Sequence, residues 1–238
     1  MGRAFEVRKA AMAKTNAAKT KVYARFGKEI YIAAKAGIPD PEMNQTLKRI
    51  IEKAKAAQVT ADVIKRAIEK AKGGSDESYT SARYEGFGPG NSTIIIDCLT
   101  DNVNRTVSEV RNCFTKTKSK MGVAGSVSHM FDHIGLLSFA SSEEEKVLDT
   151  LIENDVDVID LELEERQMNV TVSPNDLYKA KDAIESIYPE IKFDVLETTM
   201  MPHSYVKLAG EEVELYERFM SMLDEIDDVQ EVYHNIEE

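Results

Sequence analysis

The chain has 238 residues, 42% of them hydrophobic and 30% charged, a composition typical of folded, water-soluble domains. A chain of this length predicts two or three domains. No apolar run approaches the roughly 20 residues of a membrane span, so we expect no membrane partner. The two cysteines, Cys98 and Cys113, have neither disulfide-framework nor zinc-site spacing, which favours a reduced, cytoplasmic setting.

Charge is segregated along the sequence. The net charge of −12 comprises +10 over residues 1–75, a balanced stretch over residues 76–130 and −22 over residues 131–238. This predicts two electrostatically different parts, and only the N-terminal part can approach a polyphosphate. A solvated surface is the alternative interpretation of any single charge run.

The first third of the sequence has helical periodicity. Apolar residues at helical spacing over residues 22–33 predict a first helix that ends at Gly37. Asp40 is the predicted N-cap of a second helix, and Thr60 can cap a third that ends at Gly73. The predicted buried stripe of the second helix is Met43, Leu47, Ile50, Ile51 and Ala54. We therefore predict a basic three-helix head over residues 1–76.

Two of these helices carry the same nine-residue pattern. Residues 47–55 (Leu-Lys-Arg-Ile-Ile-Glu-Lys-Ala-Lys) match residues 64–72 at seven of nine positions. At roughly 100° per residue, the third and seventh positions point away from the apolar stripe. Each repeat has one glutamate against four cations, so local pairing cannot neutralise it, and we favour phosphate binding over a merely solvated surface. The predicted phosphate-binding residues are Arg49, Lys53, Arg66 and Lys70.

More cations precede these helices. Residues 10–21 contain helix formers but almost no apolar face, so we expect this segment to order on an anionic partner. This segment and the start of the first helix contribute further predicted nucleic-acid contacts: Lys14, Lys19, Lys21 and Arg25.

Beyond residue 74 the pattern changes to alternating strands and helices. Six elements over residues 136–198 follow the order β-α-β-β-α-β of the ferredoxin-like motif. The last helix and strand, after residue 203, cannot form a domain alone, so we expect them to complete an earlier one. We predict an α+β chain of three domains: an N-terminal three-helix bundle, then two ferredoxin-like α/β domains, the middle one interrupted by the third. The predicted boundaries are residues 1–76, residues 77–133 plus 203–238, and residues 134–202.

Two loops of the middle domain are candidate contact sites. Residues 84–90, Tyr-Glu-Gly-Phe-Gly-Pro-Gly, predict a glycine-rich turn that either permits tight turning or leaves Phe87 open for stacking on a base. Asn104 is the predicted N-cap of the helix after the next strand, which puts Arg105 at an anion-attracting helix start. Lys118 adds a cation on a nearby connection. A strand is predicted over residues 126–131.

No catalytic constellation is recognisable. His129 and His133 have a spacing that can ligate a metal on a helix, but here they fall on a predicted strand end and turn. No serine lies in a nucleophile-elbow pattern, and neither cysteine adjoins a recognisable base motif. We expect a monomeric, non-enzymatic protein without a metal, a cofactor or a small-molecule substrate.

Motifs along the sequence resemble one family. They are Lys28-Glu29-Ile30-Tyr31 with Ala33-Ala34-Lys35, Pro39-Asp40-Pro41-Glu42-Met43-Asn44, Tyr84-Glu85-Gly86-Phe87-Gly88-Pro89, the segment Leu99 to Thr106, Gly125-Ser126-Val127-Ser128, and the segment Asp227 to Asn235. In these motifs the sequence is similar to the YebC/PmpR family of probable transcriptional regulators, whose mitochondrial members are translational activators. The resemblance implies three domains with an interrupted middle one, no enzymatic activity and no obligatory metal.

Two functions fit these observations. The first is a DNA-binding transcriptional regulator, although no helix-turn-helix with a base-reading helix is recognisable. The second is a ribosome-associated translation factor that acts on stalled or slow synthesis. In that case the basic head would bind structured RNA and the acidic body would face basic ribosomal proteins. The sequence leaves both open.

Overall fold

The computed structural model describes Arg8, residues 19–73 and residues 78–237. The helices are α1 (Lys19–Ala36), α2 (Gln45–Ala56), α3 (Ala61–Lys72), α4 (Val103–Lys116), α5 (Glu144–Glu153), α6 (Leu177–Ile187) and α7 (Glu211–Asp224). The strands are β1 (Thr80–Phe87), β2 (Thr93–Thr100), β3 (Lys120–Met121), β4 (Phe131–Ala140), β5 (Val158–Glu164), β6 (Gln167–Val172), β7 (Phe193–Pro202) and β8 (Val229–His234). These elements form two compact units: residues 19–126 with 209–232, and residues 127–208 with 233–237.

Helices α1 to α3 form a bundle with its own core. One stripe of each helix is buried, including Phe26, Ile30, Leu47, Ile51, Ile64 and Ala67. Burying such a stripe is what stabilises short helices that would be marginal alone. The three-helix prediction for this part of the chain is confirmed over the described residues.

The start of α2 differs from the sequence prediction. Its N-cap is Asn44, whose side chain accepts from the Leu47 N–H at 3.0 Å, and not Asp40. Asp40 instead accepts from the Glu42 N–H at 3.0 Å and closes a separate turn. Met43 therefore lies outside the helix and is 69% exposed, so its predicted place in the buried stripe is wrong. Asn44 also donates to the Ala33 and Ile38 carbonyls, at 2.9 and 3.0 Å, which fixes the α1–α2 connection.

The first sheet has the strand order β3-β1-β2-β8. Its core contains Ile94, Ile96, Phe114, Phe219 and Leu223, so α4 and α7 pack with the sheet. The last strand of the chain, β8, thus lies beside β2, which is more than 120 residues earlier in the sequence. This confirms the predicted α+β fold in which the middle sheet is interrupted by the second sheet and completed by the C-terminal strand.

Residues 84–87 lie in β1, although the sequence analysis placed them in a glycine-rich turn. Gly86 pairs with Ile94 and with Met121, and a Cβ there would lie 2.6 Å from the Phe114 ring and from the Lys120 carbonyl oxygen. Glycine is required here because neighbouring groups approach the backbone closely. The turn itself follows at Pro89–Asn91, where Gly90 has a φ of 65°.

Two further local predictions are wrong. Helix α4 is capped by Asn102, which accepts from the Arg105 N–H at 3.1 Å, and not by Asn104. The predicted strand over residues 126–131 is a 3-10 turn at Ser128–Met130, and the strand begins only at Phe131. Thr60 precedes α3 as predicted but makes no side-chain capping bond.

The second unit contains β4-α5-β5-β6-α6-β7. Its sheet order is β5-β6-β4-β7, the arrangement of a ferredoxin-like fold, and the pairs β5–β6, β6–β4 and β4–β7 are antiparallel. Both helices contribute to one core with the sheet, including Phe139, Leu151, Val170 and Ile184. The predicted β-α-β-β-α-β unit is confirmed.

Candidate nucleic-acid interface

The repeated basic helices expose much of their predicted face. With the stripe of α2 and α3 buried, Arg49, Arg66 and Lys70 are exposed, as are Lys55, Lys65 and Lys72. Lys53 differs from these exposed cations because its side chain is half-buried and its charge acts on Glu29 of α1. Burial and, less strongly, the Glu231 carboxylate raise the pKa of Glu29, while Arg25 and Lys53 oppose that rise.

Two of these exposed cations make ion pairs along their own helix. Arg66 pairs with Asp62, and Lys65 lies 3.8 Å from Glu69. All four side chains are at least 60% exposed. Exposed pairs of this kind contribute about 0.3–0.5 kcal/mol and are screened by salt, so a phosphate can displace them.

One face of α1 contacts the end of α7, the turn that follows it, and β8. Lys21 pairs with Asp224 at 2.6 Å, Arg25 with Glu231 at 2.8 Å and Lys28 with Asp228 at 3.1 Å. The spacings of four and three residues put the cations on one side of the helix. We call these three pairs the α1 clasp.

The clasp changes the interpretation of the predicted contacts in α1. Lys21 and Arg25 were predicted to contact nucleic acid, and in the structure each contacts a carboxylate, with only 26% and 27% of its side chain exposed. Lys14 lies outside the described residues, and of Lys19 only the backbone is described. Lys28 was not predicted as a functional residue, although its spacing of three residues from Arg25 places it on the same face of the helix as Lys21 and Arg25.

Asp228 is the centre of a buried polar network. Its carboxylate accepts from Arg105 at 2.6 Å, Thr106 at 2.8 Å, Thr100 at 2.9 Å and Lys28 at 3.1 Å, with only 5% of its side chain exposed. Burial alone would raise the pKa of this carboxyl. The hydrogen bonds outweigh it and lower the pKa to about 2. Asp228 is therefore ionised at neutral pH and satisfied by four donors.

Arg105 lies in the first turn of α4, as the sequence analysis expected, but its guanidinium is engaged. Besides Asp228, it donates to Asp101 at 2.8 Å, and 43% of its side chain is exposed. Thus Arg105 holds Asp228 in place, and a phosphate would have to compete with two carboxylates for it.

The remaining predicted contacts lie around β1 and β3. Phe87, at the end of β1, is half-buried opposite Thr93 and Lys120. Lys118 has a φ of 54° and pairs with Glu211 at 2.5 Å, both side chains being about 70% exposed. The partners of Phe87 and Lys118 named here are not residues of α2 or α3.

A groove lies where α1, α4 and the α7–β8 turn meet. Its volume is about 820 Å³, and its described lining has five carboxylates against two cations. That charge balance does not favour a polyphosphate. The lining includes Lys28, Tyr79, Asp101, Arg105, Asp227 and Asp228.

The described residues include neither a reactive cysteine nor a cluster of metal ligands. Cys98 and Cys113 are free and buried, and burial raises the pKa of the Cys98 thiol to about 12, which suppresses the thiolate. In the same part of the chain no three His, Cys, Asp or Glu residues are grouped to hold a metal ion. The helices within it are all too short or too polar to cross a membrane.

A basic helical bundle followed by two four-stranded sheets, the first of them completed by the C-terminal strand, defines a specific class of α+β protein. Two family models match it: the TACO1/YebC protein N-terminal domain over residues 3–74, and the TACO1/YebC second and third domain over residues 79–236. The chain belongs to the TACO1/YebC family.

Relatives match the chain over nearly its whole length. Probable transcriptional regulatory proteins of Alteromonas mediterranea and Pseudoalteromonas translucida are 52% and 54% identical, each over 99% of this chain and 98% of the relative. One from Vibrio parahaemolyticus is 52% identical over the full length of both chains. The crystal structure of a conserved hypothetical protein, Aq1575 from Aquifex aeolicus, is 33% identical, with a TM-score of 0.76 over 94% of this chain and 93% of that one.

Proposed function

We propose that this chain is a nucleic-acid-binding regulator of gene expression, acting as a DNA-binding transcriptional regulator. The observation that carries the proposal is the exposed cationic face of α2 and α3, in which Arg49, Arg66 and Lys70 are exposed. The names of its relatives, probable transcriptional regulatory proteins, support the regulatory role.

The mode of binding follows from the residue types. Lysine and arginine on helix surfaces contact phosphates, which position a protein on a duplex without reading its sequence. Such contacts release counterions, so log affinity falls with log salt by about 0.7 to 0.9 per phosphate contact. The cations of α2 and α3 therefore supply affinity, and any sequence preference comes from elsewhere or from DNA shape.

The test compares binding to duplex DNA and to structured RNA across a range of salt concentrations. A variant with Arg49→Gln, Arg66→Gln and Lys70→Gln should reduce the salt slope for DNA by about 2 to 3, at 0.7 to 0.9 per lost contact. Lys53 is left in place because it is half-buried near α1. The matched control replaces Lys146, Lys179 and Lys192 by glutamine, three exposed lysines of the acidic unit.

The outcomes separate the possible functions. Binding of DNA by the wild type and the control, with a reduced slope for the triple variant, supports the proposal. Binding of structured RNA in clear preference to DNA would replace it by a translation-factor role. An unchanged slope in the triple variant would show that the face of α2 and α3 is only solvated.

A further inference from the structure

The chain from the end of α4 through β3 is cationic. Residues 110–126 contain one arginine and three lysines and no aspartate or glutamate. The three lysines, Lys116, Lys118 and Lys120, lie within five residues of sequence, and all three are exposed. Lys118 pairs with the exposed carboxylate of Glu211, whereas Lys116 and Lys120 make no ion pair with any residue that the structure describes. This stretch of the middle domain therefore attracts a polyanion.

Hydrogen bonds fix the turn between α4 and β3. The Ser119 N–H donates to the Phe114 carbonyl at 2.9 Å, and Lys118 has a φ of 54°, which together are the features of a Schellman helix end. The hydroxyl of the buried Thr117 donates to the Cys113 carbonyl at 2.8 Å. The lysines before and after the turn thus extend from a fixed backbone, which reduces the entropy that they lose on binding a ligand.

The loop that follows β3 is held by one buried residue of β1. Glu85 is 4% exposed, its backbone carbonyl accepts from the Gly122 N–H at 2.8 Å, and its carboxylate accepts from the Gly125 N–H at 2.9 Å. Gly125 has a φ of 83°, a conformation that favours glycine. Both ends of the loop are therefore fixed to the same strand.

The exposed tip of this loop is apolar. Val123 is 79% exposed, Ala124 beside it is exposed too, and the Val123 carbonyl accepts from the Ser126 N–H at 3.1 Å in a tight turn. A single exposed valine is common on protein surfaces. Here it lies three residues after Lys120 on a loop with fixed ends, so an apolar group and a cationic row occur together. A nucleic acid matches both, because its phosphates pair with lysine and its base edges accept apolar contacts.

We propose that Lys116, Lys120 and Val123 form a nucleic-acid contact on the middle domain. This proposal rests on the proposed function and adds to it a second binding surface, on elements other than α2 and α3. The two lysines contact backbone phosphates, and Val123 packs against a base edge. Lys118 contributes less because a phosphate has to displace Glu211 from it.

The lysines are tested in the full chain by the salt dependence of binding. The probes are a short DNA duplex and, in parallel, a structured RNA hairpin. Lys116→Gln with Lys120→Gln should reduce the salt slope by about 1.4 to 1.8, at 0.7 to 0.9 per lost phosphate contact. Replacing both by arginine keeps the charge and should keep the wild-type slope. The matched control, Lys179→Gln with Lys192→Gln, changes two exposed lysines of the acidic unit and should leave the slope unchanged.

The valine is tested by a different signature. Val123→Ser should weaken binding about three- to tenfold at every salt concentration. The salt slope should stay at the wild-type value, because an apolar contact releases no counterions. Val123→Ile keeps the apolar contact and should bind like the wild type. Ile159→Ser, at an apolar residue of the acidic unit that is 51% exposed, is the control and should bind like the wild type.

These measurements distinguish failure of the second surface from failure of the proposed function. The surface is overturned, and the proposed function stands, if the wild type binds but either the lysine pair keeps the wild-type slope or Val123→Ser keeps the wild-type affinity. A preference for RNA with both variant effects present supports the surface and replaces DNA as its ligand. If the wild type binds neither DNA nor RNA, the proposed function fails and the second surface with it.

Discussion

The guanidinium of Arg105 donates to the carboxylate of Asp228 across 2.6 Å, although 123 residues separate them in the sequence. The same carboxylate accepts from Lys28 of α1, and the Asp228 carbonyl accepts from the Leu99 N–H of β2 at 2.8 Å. One buried acid, in the turn between α7 and β8, thus contacts α1 of the bundle and both α4 and β2 of the first sheet's unit.

Asp228→Asn should destabilise the chain in a pH-dependent way. The folded-state pKa of about 2 lies below the ordinary 3.8, so this carboxylate stabilises the fold above pH 3.8, and the contribution is lost as pH falls through 2. We expect the variant to lose on the order of 2 kcal/mol of unfolding free energy at neutral pH. Urea unfolding from pH 7 down to pH 2 measures this. Equal losses at all these pH values would contradict the account of the network, and exposed Asp227→Asn is the control.

The clasp pair Arg25–Glu231 should contribute to stability and not to nucleic-acid binding. A double-mutant cycle with Arg25→Gln and Glu231→Gln should give a coupling free energy of about 1 kcal/mol in unfolding experiments. The salt slope of binding should be the same for Arg25→Gln and the wild type. A slope reduced by about 0.8, without any coupling, would instead restore Arg25 as a phosphate contact.

Gly86 and Gly27 should respond in opposite directions to alanine. At Gly86 the new Cβ would lie 2.6 Å from the Phe114 ring, so we expect a loss of about 1–3 kcal/mol. At Gly27, inside α1, nothing lies within 4 Å, and alanine should stabilise the helix by about 0.5–1 kcal/mol. Thermal unfolding of both variants decides this, and a neutral Gly86→Ala would show that β1 and α4 are not packed as described.

Phe219 tests whether the C-terminal helix completes the middle domain. It is fully buried, and its ring lies 4.9 Å from that of Phe114, edge-on. Phe219→Ala should cost about 3–5 kcal/mol and should weaken amide-exchange protection in β2 and α4. Val213→Ala on the same helix, at a residue 38% exposed, is the control. If Phe219→Ala left the amide-exchange protection of β2 and α4 unchanged, the stability of these two elements would not depend on the packing of α7 against them.

The sequence predicted those parts of the fold that repeat with the period of a helix or a strand. The buried stripes of the bundle and the ferredoxin-like unit follow from the regular spacing of apolar residues. The return of the last strand follows from a different argument, namely that the last helix and strand cannot form a domain alone. Helix starts were missed where a competing residue was nearby: Asn44 caps α2 in place of Asp40, and Asn102 caps α4 in place of Asn104. Several residues near each start can accept from its free N–H groups, so local sequence alone does not choose among them.

The candidate site was harder to predict than the fold. Exposure of Arg49 and Arg66 followed from helical spacing, but Lys21, Arg25 and Arg105 each also pair with a carboxylate that lies 123 or more residues away in the sequence. Ion pairs of such separation leave no periodic signal.

Cross-linking in cells, followed by sequencing of the bound nucleic acid, tests the central claim most directly. We expect enrichment of promoter DNA with the wild-type chain and its loss with the variant carrying Arg49→Gln, Arg66→Gln and Lys70→Gln. The control variant at Lys146, Lys179 and Lys192 should retain that enrichment. Enrichment of ribosomal or transfer RNA in place of promoter DNA, or equal recovery of DNA with both variants, would contradict it.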